Sequence, residues 1–351
     1  MPGFADVSVI VAAYQAAETI ERTLKSIAAQ TLKPREVVVV DDGSSDGTSD
    51  AAEACSEGMN GIELRVFRTE DNLGAGSARN RAIEESTQTY LAFLDSDDEW
   101  FPEKLERSMM RIEGTDFALV AHDYVTGSAD DAPRTYCEAR FHEGPDPFVS
   151  LYRKGYIPSC SVVARRDAVI AAGGFDPTLR NAQDFDLWLA MLRKPGTPFL
   201  VFDEPLLRYH ESPDGIMSHT ERRLDCALKI ARRYLPDLWS RPGIPLASLW
   251  FRIAALYLEA ARAYAGRGDA LRFLLTVGRL PASMLVTTLS CYLTEPAGRE
   301  HFLTPKEETS QPMAKAWLPA MFWLWVFAIL AAYLYQFRDL VRPILELLGL
   351  S

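Results

Sequence analysis

The fold is decided by VVVVDDGSSDGT (residues 37–48), in which four consecutive valines are followed by acidic, serine and glycine residues. A β-branched run without polar alternation predicts a strand that is buried on both faces of a parallel sheet. A similar run covers residues 7–12, and residues 20–28 between the two runs place apolar side chains at helical spacing. The order strand, helix, strand therefore predicts an α/β domain.

The same alternation continues after this stretch. Further strands are predicted over residues 62–67 and 90–94, and further helices over residues 77–85 and from Pro102 onward. The pattern predicts a doubly wound sheet, in which ligands bind beyond the carboxyl ends of the strands. Both acidic clusters of the sequence, residues 41–48 and 95–99, follow strands directly and are expected at that edge.

Composition limits the partners and the compartment. The formal net charge is −11 and no basic stripe interrupts it, which excludes nucleic acid as an expected partner. The five cysteines are odd in number and lie far apart, a pattern that favours a reducing compartment over a disulfide framework. Residues 1–6 have no basic stretch, so no cleaved signal peptide is predicted.

The chain divides into five predicted regions. The second part of the α/β domain is less regular, and three long helical patterns then follow it at 221–234, 246–265 and 270–293. The predicted boundaries are 1–220 for the α/β domain, 221–294 for a helical region, 295–315 for a linker, 316–337 for a hydrophobic segment and 338–351 for an amphipathic tail.

The two acidic clusters carry the chemistry that the sequence suggests. In the first, a carboxylate can accept bonds from the base or ribose of a nucleotide, although Asp, Ser and Gly equally suit a turn and a helix N-cap. The second contains three aspartates in four positions, Asp95, Asp97 and Asp98. Such carboxylates repel one another, so the fold either supplies a cation or leaves them in a solvated loop.

A bound diphosphate would add its own negative charges to the repulsion among these carboxylates. Each pair of like unit charges at 4 Å costs about 4 kcal/mol at an effective dielectric constant near 20. A divalent cation removes that cost, and Mg²⁺ or Mn²⁺ accepts carboxylate and phosphate oxygens together. Mn²⁺ or Mg²⁺ is therefore the predicted cofactor if the ligand is a nucleoside diphosphate.

Five strings in order resemble the family 2 glycosyltransferases, whose fold is called GT-A, over residues 5–215. Two departures are Gln15 and Gln183, where the family usually has Asn and Glu; we expect altered contacts rather than lost activity. The matching strings are VSVIVAAY (7–14), VVDDGS (39–44), DNLG with ARN (71–74 and 78–80), FLDSDD (93–98) and DFDLW (184–188).

The resemblance implies a function and a role for each matching residue. It implies inverting transfer of a single sugar from a nucleotide-diphosphate sugar, with UDP the first nucleotide to consider, to a hydroxyl of a lipid-linked or membrane-proximal glycan acceptor. Asp184 would be the general base. The implied donor-binding residues are Ala12, Tyr14 and Asp42 at the nucleoside, Arg79 at the diphosphate, and Asp95 and Asp97 at the ribose and metal, with His210 as a further metal ligand.

Simpler interpretations stay open for these residues. Tyr14 could pack beneath the sheet edge, Arg79 could be a solvated helix residue, Asp184 could be a helix N-cap and His210 a satisfied surface side chain. We interpret Asp186 as a solvated or capping carboxylate.

Two other functions compete with sugar transfer. A sugar nucleotidyltransferase would need a glycine-rich loop after the first strand, and residues 12–15 read AAYQ. The second competing function is that of a non-catalytic membrane scaffold, which only binds a nucleotide sugar.

The hydrophobic segment 316–337 has no charged residue and carries Trp near its start and Tyr near its end. This predicts a helix that spans a membrane or lies in its interface, with residues 280–293 as a second contact, against the alternative of a buried core helix. Because nucleotide sugars are cytosolic, the catalytic domain is expected on the cytoplasmic face of the inner membrane.

Overall fold

The computed structural model describes residues 3–127, 132–141, 146–154, 156–210, 219–293 and 301–303. The predicted hydrophobic segment, the tail and all but residues 301–303 of the linker lie outside the described residues.

A mixed sheet forms the centre of the described chain. Its strands are β1 (Phe4–Ala13), β2 (Lys33–Asp41), β3 (Glu63–Arg68), β4 (Tyr90–Phe93), β5 (Glu99–Trp100), β6 (Leu119–Thr126), β7 (Arg134–Thr135), β8 (Val163–Arg165) and β9 (Leu200–Tyr209). They lie in the order β3-β2-β1-β4-β8-β6-β9-β5, and β7 pairs with β6. The first four strands are parallel, and β8 joins β4 antiparallel.

The predicted helices are confirmed to within a few residues at each end, and the structure adds short helices that the sequence did not predict. The α-helices are α1 (Ile20–Ala28), α2 (Thr48–Glu53), α3 (Ala75–Glu85), α4 (Lys104–Ile112), α5 (Pro147–Lys154), α6 (Arg166–Ala171), α7 (Gln183–Met191), α8 (Thr220–Tyr234), α9 (Pro245–Gly266) and α10 (Ala270–Leu293). The mixed α/β sheet followed by a helical region confirms the predicted fold class.

The β-branched runs form the middle of the core. Residues 37–40 are 0% exposed although consecutive side chains of a strand point to opposite faces, so both faces of the sheet are covered. Helix α1 buries Ile20, Leu24 and Ile27 completely, as its spacing predicts. The same hydrophobic cluster includes Ile230 of α8, so the helical region shares its core with the sheet.

The register of the central strands brings the predicted clusters to one edge. Ala13 at the end of β1 lies opposite Asp41 at the end of β2. On the other side of β1, Ile10 lies opposite Phe93 of β4, and the N–H of Leu94 donates to the Ile10 carbonyl at 3.1 Å. The chains that follow β1, β2 and β4 therefore leave the sheet side by side.

Candidate functional site

The loop after β1 is held against the loop after β2 by short backbone to side-chain bonds. The N–H of Gln15 donates to Ser44 Oγ at 2.9 Å, and the N–H of Ala16 donates to Thr48 Oγ1 at 2.8 Å. The Tyr14 side chain is left 52% exposed, which excludes packing beneath the sheet edge. Ala12 precedes this loop within β1 and is half-buried.

Asp42 connects the second loop to the segment before α3. Its two carboxylate oxygens accept the N–H groups of Leu73 at 2.9 Å and Gly74 at 2.7 Å, and the residue is only 2% exposed. The neighbouring Gly43 has a φ of +72°, and a Cβ there would lie 2.8 Å from the carbonyl carbon of Asp71. The turn interpretation of this cluster is therefore correct, and a direct contact of Asp42 with a nucleotide stays a prediction.

Arg79 of α3 is directed at the second acidic cluster. Its Nη2 lies 2.5 Å from Asp95 Oδ1, and its guanidinium lies over the Phe175 ring at 5.3 Å. Since the residue is 8% exposed, it is not a solvated helix residue. An ion pair with an aromatic floor thus occupies the edge of the sheet beyond β4.

The carboxylates after β4 are difficult to keep ionised in the folded chain. Burial, with a contribution from Asp95, raises the pKa of Asp97 to about 6. Burial and then the charges of Asp95 and Asp97 raise the pKa of Asp98 well above its usual range. Asp98 is completely buried, and its Oδ2 has no hydrogen-bond partner within the described chain. These are the conditions that a bound cation would relieve.

Among the described residues, one group of side chains has the proximity of a metal site. Ligand atoms of Asp95, Asp98 and Cys160 lie within 4.8 Å of one another. This group differs from the predicted ligands Asp97 and His210. His210 instead places Nε2 2.7 Å from Glu99 Oε1 and donates its backbone N–H to Asp98 Oδ1 at 2.9 Å. Its ring is therefore satisfied by Glu99, as in the simpler interpretation, although the side chain is partly buried, and its role as a metal ligand stays a prediction.

Asp184 lies in the first turn of α7, where its Oδ1 accepts the N–H of Phe185 at 2.8 Å. The helix N-cap is Ala182, with a φ of 57°, so the N-cap interpretation of Asp184 is wrong. Burial raises the pKa of Asp184, the positive charge of Arg79 opposes the rise, and the negative charge of Asp95 adds to it. The charges of Arg79 and Asp95 therefore act on the carboxyl group of Asp184.

The interpretation of Asp186 as a solvated carboxylate is wrong. The residue is 0% exposed, and its Oδ1 accepts a bond from Arg233 Nη1 at 2.7 Å. Its partner lies 47 positions later in the chain, in α8. No local pattern around residue 186 could indicate this contact.

Two further residues reach the acidic cluster without a sequence signal. Cys160 Sγ accepts the N–H of Asp95 at 3.3 Å, across 65 positions of the chain. Arg22, which the helical pattern placed on the outer face of α1, lies with Nε 3.1 Å from Glu99 Oε1 and donates through Nη2 to the Asp97 carbonyl. The arginine belongs to a charged face of a helix, but its loop partner is set only by the tertiary fold.

The sequence model of a family described as "Glycosyl transferase family 2" matches residues 8–171. The chain is 31% identical over 211 residues to the amylovoran biosynthesis glycosyltransferase AmsB of Erwinia amylovora, covering 58% of this chain and 69% of that protein. It is 32% identical over 218 residues to the putative teichuronic acid biosynthesis glycosyltransferase TuaG of Bacillus subtilis, covering 61% of this chain and 82% of that protein.

Two solved structures are similar in fold. The TarS 1–349 structure from S. aureus in complex with UDP-GlcNAc superposes with a TM-score of 0.53 at 20% identity, covering 81% of this chain and 90% of that one. The mannosyltransferase PcManGT from Pyrobaculum calidifontis, in complex with GDP-Man and Mn²⁺, superposes with a TM-score of 0.53 at 21% identity, covering 84% and 82%.

Proposed function

The chain belongs to glycosyl transferase family 2, and we propose that it transfers one sugar, with inversion, from a nucleotide-diphosphate sugar to a hydroxyl of a lipid-linked or membrane-proximal glycan acceptor. The observation that carries the proposal is the ion pair of Arg79 with Asp95 at the carboxyl edge of the sheet, whose two charges both act on the carboxyl group of Asp184. Sugar transfer requires that the donor diphosphate, a positive charge that offsets it and a general base lie close together.

The donor class is supported by the site and by the two structural relatives. TarS holds UDP-GlcNAc and PcManGT holds GDP-Man, which are both nucleotide-diphosphate sugars. In this chain the exposed ring of Tyr14, next to Ala12, offers a flat surface for a base, and Asp42 fixes the adjoining loop. Arg79 offers a guanidinium whose planar donors suit diphosphate oxygens. UDP is the first nucleotide to test.

The residues around Asp95 fit a hard divalent cation. Carboxylate oxygens of Asp95 and Asp98 lie within 4.8 Å of each other and of Cys160 Sγ, and Asp98 Oδ2 is buried without a hydrogen-bond partner in the described chain. Asp97, whose pKa is raised to about 6 by burial and by Asp95, is a further carboxylate of the same loop. Mg²⁺ or Mn²⁺ would be held by these carboxylates, with His210 beside them. When bound, the cation would offset the charge that develops on the departing diphosphate.

Asp184 is the proposed general base. Burial raises the pKa of its carboxyl group, which makes the carboxylate a stronger base than a free aspartate. As the acceptor oxygen forms its bond to the anomeric carbon, Asp184 takes the hydroxyl proton. The bond from that carbon to the diphosphate oxygen breaks, and the diphosphate leaves with the electron pair. Attack from the face opposite the leaving group inverts the configuration.

Membrane association is proposed from the described helix α10 together with the undescribed segment 316–337. One described helix, Ala270–Cys291, is long and apolar enough to cross a membrane. Its outward side chains Leu271, Leu274, Leu275, Leu285, Val286 and Leu289 are 41–69% exposed. At about 100° per residue they fall within an arc of about 120°. An uncharged stripe of this kind suits the lipid interface.

The location follows from the donor. Relatives named for amylovoran and teichuronic acid biosynthesis support a role in polysaccharide synthesis. Nucleotide sugars are cytosolic, so we place the catalytic domain on the cytoplasmic face of the inner membrane. We keep the predicted division into a catalytic domain (1–220), a helical region (221–294), a linker (295–315), a membrane segment (316–337) and a tail (338–351).

Thermal unfolding and a transfer assay test the proposal on the full chain. Nucleotide sugars are screened with and without Mn²⁺, and one of them is expected to raise the melting temperature only when the cation is present. Stabilisation that ignores the cation would contradict the metal-assisted mechanism. Asp184→Asn is expected to keep this stabilisation and to lose transfer by about 10²- to 10⁴-fold.

Asp167 provides a matched control for that substitution. Its carboxylate is 68% exposed and pairs with Arg165 outside the pocket, so Asp167→Asn should transfer at the wild-type rate. An Asp184→Asn variant as active as this control would refute the base assignment. The competing scaffold function predicts donor binding with neither transfer nor donor hydrolysis in the wild type.

A further inference from the structure

A single guanidinium, that of Arg233, bridges the two ends of the segment that carries Asp184. Arg233 of α8 donates through Nη2 to Asp176 Oδ2 at 2.8 Å and through Nη1 to Asp186 Oδ1 at 2.7 Å. The side chains of the arginine and the two aspartates are 8%, 1% and 0% exposed. Because residues 176 and 186 lie on either side of Asp184, the arginine joins the two ends of the segment that presents the proposed base.

Each end of this segment is fixed by further bonds. Asp176 Oδ1 accepts the N–H of Thr178 at 2.9 Å and its hydroxyl at 2.7 Å, which makes a rigid turn. The hydroxyl of Tyr234, the residue after Arg233, donates to the Asp186 carbonyl at 2.9 Å. The two adjacent residues of α8 therefore hold both the side chain and the backbone of Asp186.

The start of the same segment adjoins the ion pair of Arg79 with Asp95. Phe175, next to Asp176, lies beneath Arg79 and packs edge-on against Trp188 of α7 with ring centroids 6.3 Å apart. Asn80 of α3 accepts the Phe175 N–H at 2.8 Å and donates to the Phe175 carbonyl at 2.8 Å. A displacement of residues 176–186 would therefore move Asp184 relative to the ion pair of Arg79 with Asp95.

We propose that Arg233 is a positioning residue for glycosyl transfer, which sets the place of Asp184 relative to the donor by clamping Asp176 and Asp186. This inference rests on the proposed function of Asp184. It gives α8, which follows the residues that the family model matches, an indirect part in the reaction. Arg233 would act only through Asp176 and Asp186.

Substitution of Arg233 tests the clamp. Arg233→Lys keeps the positive charge but loses the pair of guanidinium nitrogens that bond to the two aspartates. We expect kcat to fall about ten- to hundredfold, with the dissociation constant for nucleotide sugar and Mn²⁺ changed less than about threefold, because a misplaced base slows the chemical step without removing donor contacts. The matched control is Arg223→Lys, which alters another arginine of α8 whose partner is Glu259 in α9.

A merely structural role is separated by a charge-neutral variant. Arg233→Gln alone leaves two buried carboxylates without their partner, and it can fail to fold. The triple variant Asp176→Asn/Asp186→Asn/Arg233→Gln removes all three charges and should recover the melting temperature but not kcat. Recovery of both, or wild-type kcat in a folded Arg233→Lys, would overturn the proposal.

Asp184→Asn, measured in parallel, keeps the two hypotheses apart. If Asp184→Asn transfers normally, the base assignment fails whatever Arg233 does. If Asp184→Asn is inactive and Arg233→Lys is fully active, only the positioning role fails.

Discussion

Asp97 offers the sharpest test of the acidic cluster. Burial and the neighbouring Asp95 raise its pKa to about 6, against an ordinary value of 3.8 for aspartate. The folded chain therefore holds this proton between pH 3.8 and about 6, where the unfolded chain releases it. The stabilisation is fully present below pH 3.8 and is lost as the pH rises through about 6, so the ionised cluster weakens the cation-free protein at neutral pH.

The shift sets the size of the effect. A difference of about two pKa units corresponds to about 3 kcal/mol, since each unit is worth about 1.4 kcal/mol. Asp97→Asn removes the titrating group and keeps a similar shape. Without divalent cations the variant should be more stable than the wild type at pH 7.5, by up to about 3 kcal/mol relative to their difference at pH 4.

Urea unfolding of both proteins in EDTA, from pH 4 to pH 8, measures this difference. Added Mn²⁺ should then stabilise the wild type above pH 6 and have a smaller effect on the variant. A stability difference that is constant across this range, or that grows as the pH falls, would refute the reasoning. Asp167→Asn, at an exposed carboxylate, is the control for a general effect of removing a charge.

Three further substitutions have defined outcomes. Burial lowers the pKa of Lys104 well below its usual range, so folding disfavours the protonated form of this side chain. Lys104→Met should therefore raise the unfolding free energy near pH 7 in urea titrations. The gain should shrink as the pH approaches 10, where the unfolded chain also begins to lose the proton. Gly43→Ala should lower the unfolding free energy by about 1–3 kcal/mol, because its Cβ would meet the Asp71 backbone at a φ of +72°. Asp42→Asn should cost about 1–3 kcal/mol in the same measurement, since the carboxylate accepts two backbone N–H groups.

The sequence was sufficient for the first four strands and for the helices between them and in the helical region, except α2, because their signals are local; β5–β9, α5 and α6 were not predicted. The runs at residues 7–12 and 37–40 became β1 and β2, and the apolar spacing of residues 20–28 became α1. Even the edge at which the acidic clusters gather could be predicted, since it follows from the direction of parallel strands. The resemblance also selected Asp95 and Asp184, and the charge of Asp95 contributes to the raised pKa of Asp184.

The details of the site depended on contacts between distant parts of the chain. Cys160 meets Asp95 across 65 positions, and Arg233 meets Asp186 across 47. Neither partner shows a motif around it, so no pattern could assign Cys160 to the group with Asp98 or reveal Asp186 as a buried ion pair. Long-range pairing of polar groups is decided by the assembled fold, and the predicted ligand pair of Asp97 and His210 stays a prediction.

The ion pair of Arg79 with Asp95 has a consequence for the order of binding. Within the resting protein each charge already has a partner, so a diphosphate that approaches Arg79 alone would leave a bare carboxylate behind, and a cation that approaches Asp95 alone would strand the guanidinium. In the proposed complex the diphosphate pairs with Arg79 while the cation pairs with Asp95, so that both charges of the protein keep a partner. Metal and donor should therefore bind with mutual dependence, each tightening the other by the same factor, as reciprocity between linked equilibria requires.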